Sequence, residues 1–271
     1  MSLVLVTGAT GRIGTWLRGG LPERGWALRS LDVVPAPDER PGEEQVVADV
    51  TDLAAMTDAM RGVSAVVHLA GVVGESTWPA ISHANIEGTY ATLEAARRAG
   101  VQRMVLASSN HATGFTPRPS AGLLREEDAP PRPDTYYGVA KVTMEALGSL
   151  YADRYGMDVV CLRIGSAFPE PTTVRMLATW LSPADTVSLV DAALTAPSPG
   201  YVVAWGVSAN TRNWWDLSTG RALGYDPQDD AEVYAEALIE VHGEPDVTDP
   251  VHGRVGGEYT TAEFNAESFT A

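Results

Sequence analysis

Tyr137 and Lys141 are the residues in this sequence best suited to move a proton. Lys141 is the only lysine among 19 basic residues, the rest being arginine. An ammonium is a compact charge that bears on a neighbour's ionisation, whereas a guanidinium is a planar fork that stays charged, so the two are not interchangeable at a titrating site. Four residues apart on a helix, Tyr and Lys share one face. The ammonium then favours the phenolate and lowers the phenol from its usual ~10, which makes Tyr137 a base usable near neutral pH. With 9 tyrosines in 271 residues the pairing is a modest signal by itself. Its bland reading is a surface helix in an arginine-biased protein.

The elements that must position this pair are those of an open parallel sheet. Leu3-Val4-Leu5-Val6-Thr7 is a short apolar run without polar alternation, as a strand buried on both faces requires. Gly8-Ala9-Thr10-Gly11-Arg12-Ile13-Gly14 follows and leads into a helix through Arg24. Such a turn lets the backbone approach a pyrophosphate, whose charge sits on the helix N-terminus. The next strand, 27–31, ends in Asp32, 18 residues after Gly14. An acid there accepts from the adenosine ribose hydroxyls and repels a 2′-phosphate, which favours NAD over NADP; Arg12 and Arg29 count the other way. Further strands are expected at 45–48, 65–69, 104–107, 157–163 and 201–205, and helices at 78–98, 136–155, 174–180, 214–219 and 231–241. Strand and helix in alternation give a doubly wound Rossmann-type α/β fold, with the ligand crevice at the carboxyl ends of the strands. The glycine turn, Asp32, Ser109 and Gly165-Ser166 all fall at such ends.

Tyr-x-x-x-Lys downstream of Gly-x-x-Gly-x-x-Gly resembles the extended branch of the short-chain dehydrogenase/reductase family. In that resemblance Tyr137 is the base, Ser109 holds the reacting oxygen and Lys141 tunes Tyr137 and reaches the nicotinamide ribose. Gly8, Gly11, Arg12, Ile13, Gly14, Asp32, Asp49, Val50, Leu69 and Ile164 complete the expected cofactor set. Asp49 reads equally well as a cap for the helix starting near Thr51. Asn85 matches the family's supporting Asn, and His68 reads as a packed strand residue. Ser108-Ser109-Asn110-His111, Leu162-Arg163-Ile164-Gly165-Ser166, Arg175-Met176-Leu177 and Trp205 to Asn210 with Trp214-Trp215-Asp216 together look like the bacterial uronate dehydrogenases. The resemblance implies oxidation of the C1 hydroxyl of glucuronate or galacturonate with NAD, giving an aldarolactone. Arg175 would then grip the uronate carboxylate, since a guanidinium fork matches a carboxylate with two hydrogen bonds. Arg163 is the alternative, but inside a strand it serves the fold. Ser166, Asn110 and His111 would make further substrate contacts. The family's serine after the fourth strand is absent, and either Val73 replaces it or Ser76 supplies the contact from a shifted loop.

Composition narrows the partners. A net charge of −16 argues against nucleic acid and anionic membranes. No apolar run is long enough to span a bilayer, and the chain opens directly on a strand, so a cytoplasmic protein is expected; the resemblance implies a small-molecule uronate substrate and a homo-oligomer. Cys161, the single cysteine, lies in an apolar run and reads as core packing. Residues 1–165 with 200–206 are expected to form the NAD-binding core, and 166–199 with 207–271 a small substrate lobe and tail. The competing functions are a sugar epimerase or dehydratase of the same extended family and a non-catalytic NAD-sensing module.

Overall fold

The computed structural model describes residues 2–261 and 264. Seven strands form one sheet, all parallel: β1 (Leu3–Thr7), β2 (Ala27–Asp32), β3 (Glu43–Val47), β4 (Ala65–His68), β5 (Arg103–Ser109), β6 (Asp158–Ile164) and β9 (Tyr201–Gly206). Their order is β3-β2-β1-β4-β5-β6-β9. The chain winds outward from β1 to β3 and crosses back to β4, so the crevice between β1 and β4 is the switch point at which such sheets bind ligands. A two-stranded sheet pairs β7 (Ser166–Ala167) with β8 (Trp180–Leu181) beyond the end of β6.

Both faces of the main sheet are buried, and successive side chains along each strand enter different cores. Val4, Val6, Val105, Val160 and Leu162 join α1 (Arg12–Glu23) and α7 (Pro183–Thr195) on one face. Leu5, Met104, Leu106, Val159 and Cys161 join α2 (Leu53–Ala59), α4 (Gly88–Ala99) and α5 (Tyr136–Tyr155) on the other. This two-sided burial is why the strands read as unbroken apolar runs. It also assigns α7, grouped with the lobe from sequence, to the sheet: its Val187, Leu189 and Val190 pack with Leu17 and Leu21 of α1. Cys161 is fully buried, as expected, and burial pushes its thiol up.

The helix expected over 78–98 runs from α3 (Trp78–Ile81) through a π-helical turn (Ser82–Glu87) into α4. Helix α5 starts and stops as expected: the Thr135 hydroxyl accepts from the N–H of Gly138, and Gly156 ends it in the left-handed region. A buried ion pair fixes α5 to the sheet, with Arg163 donating from Nε and Nη2 to Glu145 (2.9 Å each) and Ser108 donating to the same carboxylate at 2.6 Å. Arg163 therefore serves the fold.

The lobe departs from expectation in two places. The helix expected at 174–180 is only α6 (Met176–Thr179), because Trp180 enters β8. The helix expected at 214–219 is displaced to α8 (Ser218–Ala222). There the Asn213 side chain takes the N–H and carbonyl of Trp215, while Leu124 pairs with Trp214 and Asp216, so the backbone groups a helix would use are already engaged. The stretch 231–241 is a short 3-10 turn leading into α9 (Ala235–His242), and α10 (Pro250–Gly253) follows in the tail.

Candidate active site

A cavity of about 600 Å³ opens at the carboxyl ends of β1, β4, β5 and β6. One end is the glycine turn. A side chain at Gly14 would run into the carbonyl of Gly8, so the helix can pack this close to the turn only without one. No side chain caps the first turn of α1, and Gly8, Gly11, Arg12, Ile13 and Gly14 line the cavity. Uncapped N–H groups at a helix start suit an anionic diphosphate. Beside them, Asp32 Oδ2 accepts from the N–H and hydroxyl of Thr10 (2.9 and 2.7 Å). The two basic residues that could have met a 2′-phosphate are committed elsewhere. Arg12 donates to Ala167 O at 3.1 Å and stacks on Phe168, and Arg29 pairs with Glu44 and donates to Ala59 and Arg61 carbonyls. The residues present therefore fit NAD. Leu69 and Ile164 line the cavity between the glycine turn and Ser109. Asp49 and Val50 lie outside its wall: Asp49 closes a turn on Thr51, and the cap of α2 is Asp52.

At the centre, Ser109, Tyr137 and Lys141 share the cavity wall. Ser109 ends β5, donates to Asn110 Oδ1 at 3.3 Å, and lies close enough to the Tyr137 phenol to favour its ionised form. Lys141 Nζ stands 5.2 Å from the centre of the Tyr137 ring and donates to Ala107 O at 2.6 Å. The expectation that the ammonium lowers the phenol's pKa is not met. Burial pushes Tyr137 up to about 12, Tyr259 and Asp134 add to the rise, and only Ser109 opposes it. Burial lowers Lys141 to about 8, against Cys161 and Glu145. The i, i+4 spacing put the two on one face, but the amine is anchored by one N–H on a strand carbonyl rather than on the phenol.

Two neighbours hold this trio in place. The Tyr137 N–H donates to Glu75 at 3.3 Å, and the loop before Glu75 is clamped by Asn85, whose amide exchanges two hydrogen bonds with Val72 (2.8 and 2.9 Å). Asn85 sits in the π-helical turn, an irregularity frequent at functional sites. His68 is fully buried against Thr7 Oγ1 at 2.8 Å and, as expected, packs rather than reacts.

The far end of the cavity holds the other expected substrate contacts. His111 Nδ1 lies 2.7 Å from Asp134 Oδ2 and its ring meets Tyr137 and Tyr259 edge-on. Asn110 donates to Val255 O at 2.8 Å, and Ser166 Oγ lies 2.9 Å from Thr179 Oγ1. Arg175 lines the cavity and donates to the carbonyls of Val251, Arg254 and Val255 (2.7, 3.2 and 2.5 Å). No carboxylate pairs with it among the described residues, and burial lowers its pKa to about 10. Ser76 is not in the wall: Val72, Val73 and Gly74 line it, while the next residue, Glu75, turns inward.

The NAD dependent epimerase/dehydratase family model matches residues 4–204. The chain belongs to that family. Within the family it is similar to the uronate dehydrogenase of Pseudomonas putida, at 40% identity over 260 residues and 96% of each chain. It superposes on a mutated uronate dehydrogenase with a TM-score of 0.91 at 41% identity, covering 98% of this chain and 96% of that one. On a mutant uronate dehydrogenase from Agrobacterium tumefaciens complexed with NAD the TM-score is 0.88 at 40% identity, covering 96% and 97%.

Glu75, Asp134 and the segment bearing Gly256, Glu258 and Tyr259 were not among the residues expected here. Asp134 stands directly before the Thr135 cap, a place where an acid is ordinary. The tail has no periodicity from which its docking on the cavity could be read.

Proposed function

We propose that this chain oxidises the C1 hydroxyl of cyclic D-glucuronate and D-galacturonate to the aldarolactone, with NAD as oxidant. The observation that carries the substrate class is Arg175: a guanidinium without an acidic partner among the described residues lines the same cavity as Tyr137 and Ser109, in a chain of net charge −16. The overall field repels anions, so a local fork for a carboxylate has a purpose. The similarity to uronate dehydrogenases over nearly the whole chain supports the same reading.

In this reading Arg175 and Ser166 hold the uronate carboxylate, and Asn110 and His111 bind ring hydroxyls. Asp134 at His111 Nδ1 favours the tautomer with the lone pair on Nε2. Ser109 donates to the C1 oxygen, and Tyr137 takes the hydroxyl proton as C1 loses hydride. NAD supplies the hydride acceptor when bound. Lys141, anchored on Ala107 O, keeps further N–H donors for the nicotinamide ribose. The expected homo-oligomer and cytoplasmic setting belong to the same reading. Tyr90 on α4, and Leu150 and Tyr155 on α5, are exposed and offer an apolar face to a second copy, which light scattering would register as twice the chain mass.

The test is a panel of hexuronates and neutral aldoses followed by NADH absorbance. Uronates should be oxidised and the matching neutral sugars should react far more slowly. An epimerase would show no net NADH, and equal rates for glucose and glucuronate would remove Arg175 from its role. Tyr137→Phe deletes the group that accepts the proton, so turnover should be abolished while NAD affinity stays within about twofold of wild type.

A further inference from the structure

A second cavity, of about 290 Å³, lies behind Arg175. Its wall carries Arg118, Arg175, Arg212 and His252 and no acid, the reverse of a chain with 35 acidic and 19 basic residues. Arg212 is neutralised by Glu232 (2.7 and 3.0 Å) and Glu244 (3.3 Å). Arg175 directs three of its five N–H donors to carbonyls of 251, 254 and 255. Arg118 differs from both. Its guanidinium lies 5.5 Å from the Trp214 ring centre, and among the described residues neither a carboxylate nor a carbonyl accepts from it. Burial lowers its pKa with no acid opposing. A guanidinium offers five donors, and among the described residues no acid or carbonyl takes those of Arg118, so they are open to a ligand that enters the cavity.

We propose that this second cavity binds a small organic carboxylate, with Arg118 as the fork that receives it. Two parallel N–H donors match a carboxylate, while the Trp214 indole and Val247 give apolar walls suited to a carbon skeleton rather than a hydrated inorganic ion. The backbone N–H of Arg118 donates to Gly253 O at 2.8 Å, so the site is built partly on the segment that closes the first cavity. The site stands independently of the reaction proposed above.

Calorimetric titration of the full chain with succinate, at ionic strength held constant with NaCl, tests it. One site with Kd on the order of 1 mM is expected, and it should persist in saturating D-glucuronate. Arg118→Gln should weaken it at least tenfold while leaving uronate turnover unchanged. Heats equal to the NaCl control would overturn the proposal. So would succinate binding that glucuronate abolishes and Arg118→Gln leaves intact, since that places succinate in the first cavity. Binding of inorganic phosphate without succinate would refute the organic ligand. Should Arg118→Gln melt several degrees lower, Val247→Glu decides: a carboxylate supplied by the wall must eliminate succinate binding, and retained binding rejects the site.

Discussion

Ser109 is the residue through which the sheet acts on the phenol, since it alone opposes the burial that raises Tyr137 to about 12. Ser109→Ala should therefore move the phenol further up. The phenolate fraction at any pH below the pKa falls, so the rising alkaline limb of kcat/KM shifts to higher pH, and the rate at pH 8 drops by about 10- to 100-fold. A pH–rate profile reads this directly; an unmoved limb would mean that Ser109 does not set the base. In the proposed reaction Arg175 acts on binding instead. Arg175→Ala removes a buried charge-assisted pair, worth about 2–4 kcal/mol, and should erase most of the preference for glucuronate over glucose in kcat/KM. Because Arg175 also holds carbonyls of 251, 254 and 255, the same variant should unfold more easily.

At the scale of elements, α5 carries the proposed base, and its approach to the strand-end turn depends on Gly138. A side chain there would run into the carbonyl of His111, a backbone atom that cannot swing aside. Gly138→Ala should push α5 from the His111 turn, separate Tyr137 from Ser109, and lower kcat with little change in NAD affinity; kcat equal to wild type would show that the turn yields. How α5 and the sheet came to be legible has a physical cause. The strands are buried on both faces and so read as apolar runs, and α5 is bounded by a hydroxyl cap and a left-handed glycine, both local signals. The unread parts depend on distant contacts. Nothing near Lys141 announces that its amine ends on Ala107 O, nothing near Trp214 announces that Asn213 and Leu124 occupy the backbone a helix would need, and α7 owes its place to packing on α1. Asp32 and the glycine turn were legible because anion and ribose recognition use backbone and a single acid, all within the β1-α1-β2 unit.

For the whole molecule, two opposed terms set the dependence of stability on acidity. The net charge of −16 at pH 7 repels itself, and this relaxes as pH falls toward the pI of about 4.6. His68 acts the other way. It is buried between β1 and β5, and burial, with the charge of Lys141 adding to it, lowers its pKa from 6.5 to about 3. Between those values the unfolded chain binds a proton that the folded chain refuses, so this contribution to stability is complete above pH 6.5 and is lost as pH falls, by up to about 1.4 kcal/mol per pH unit. Repulsion alone would place the optimum near the pI; His68 should hold it above, between about pH 5.5 and 6.5. His68→Asn keeps an acceptor for Thr7 and cannot titrate, so its optimum should move down by about one pH unit. Added salt screens the repulsion but not the buried ring, and in 0.5 M NaCl the acid slope of the wild type should steepen while that of His68→Asn stays shallow. Urea unfolding from pH 4.5 to 8 at both salt concentrations measures all four curves, and parallel acid slopes for the two proteins would show that His68 already carries its proton in the folded sheet.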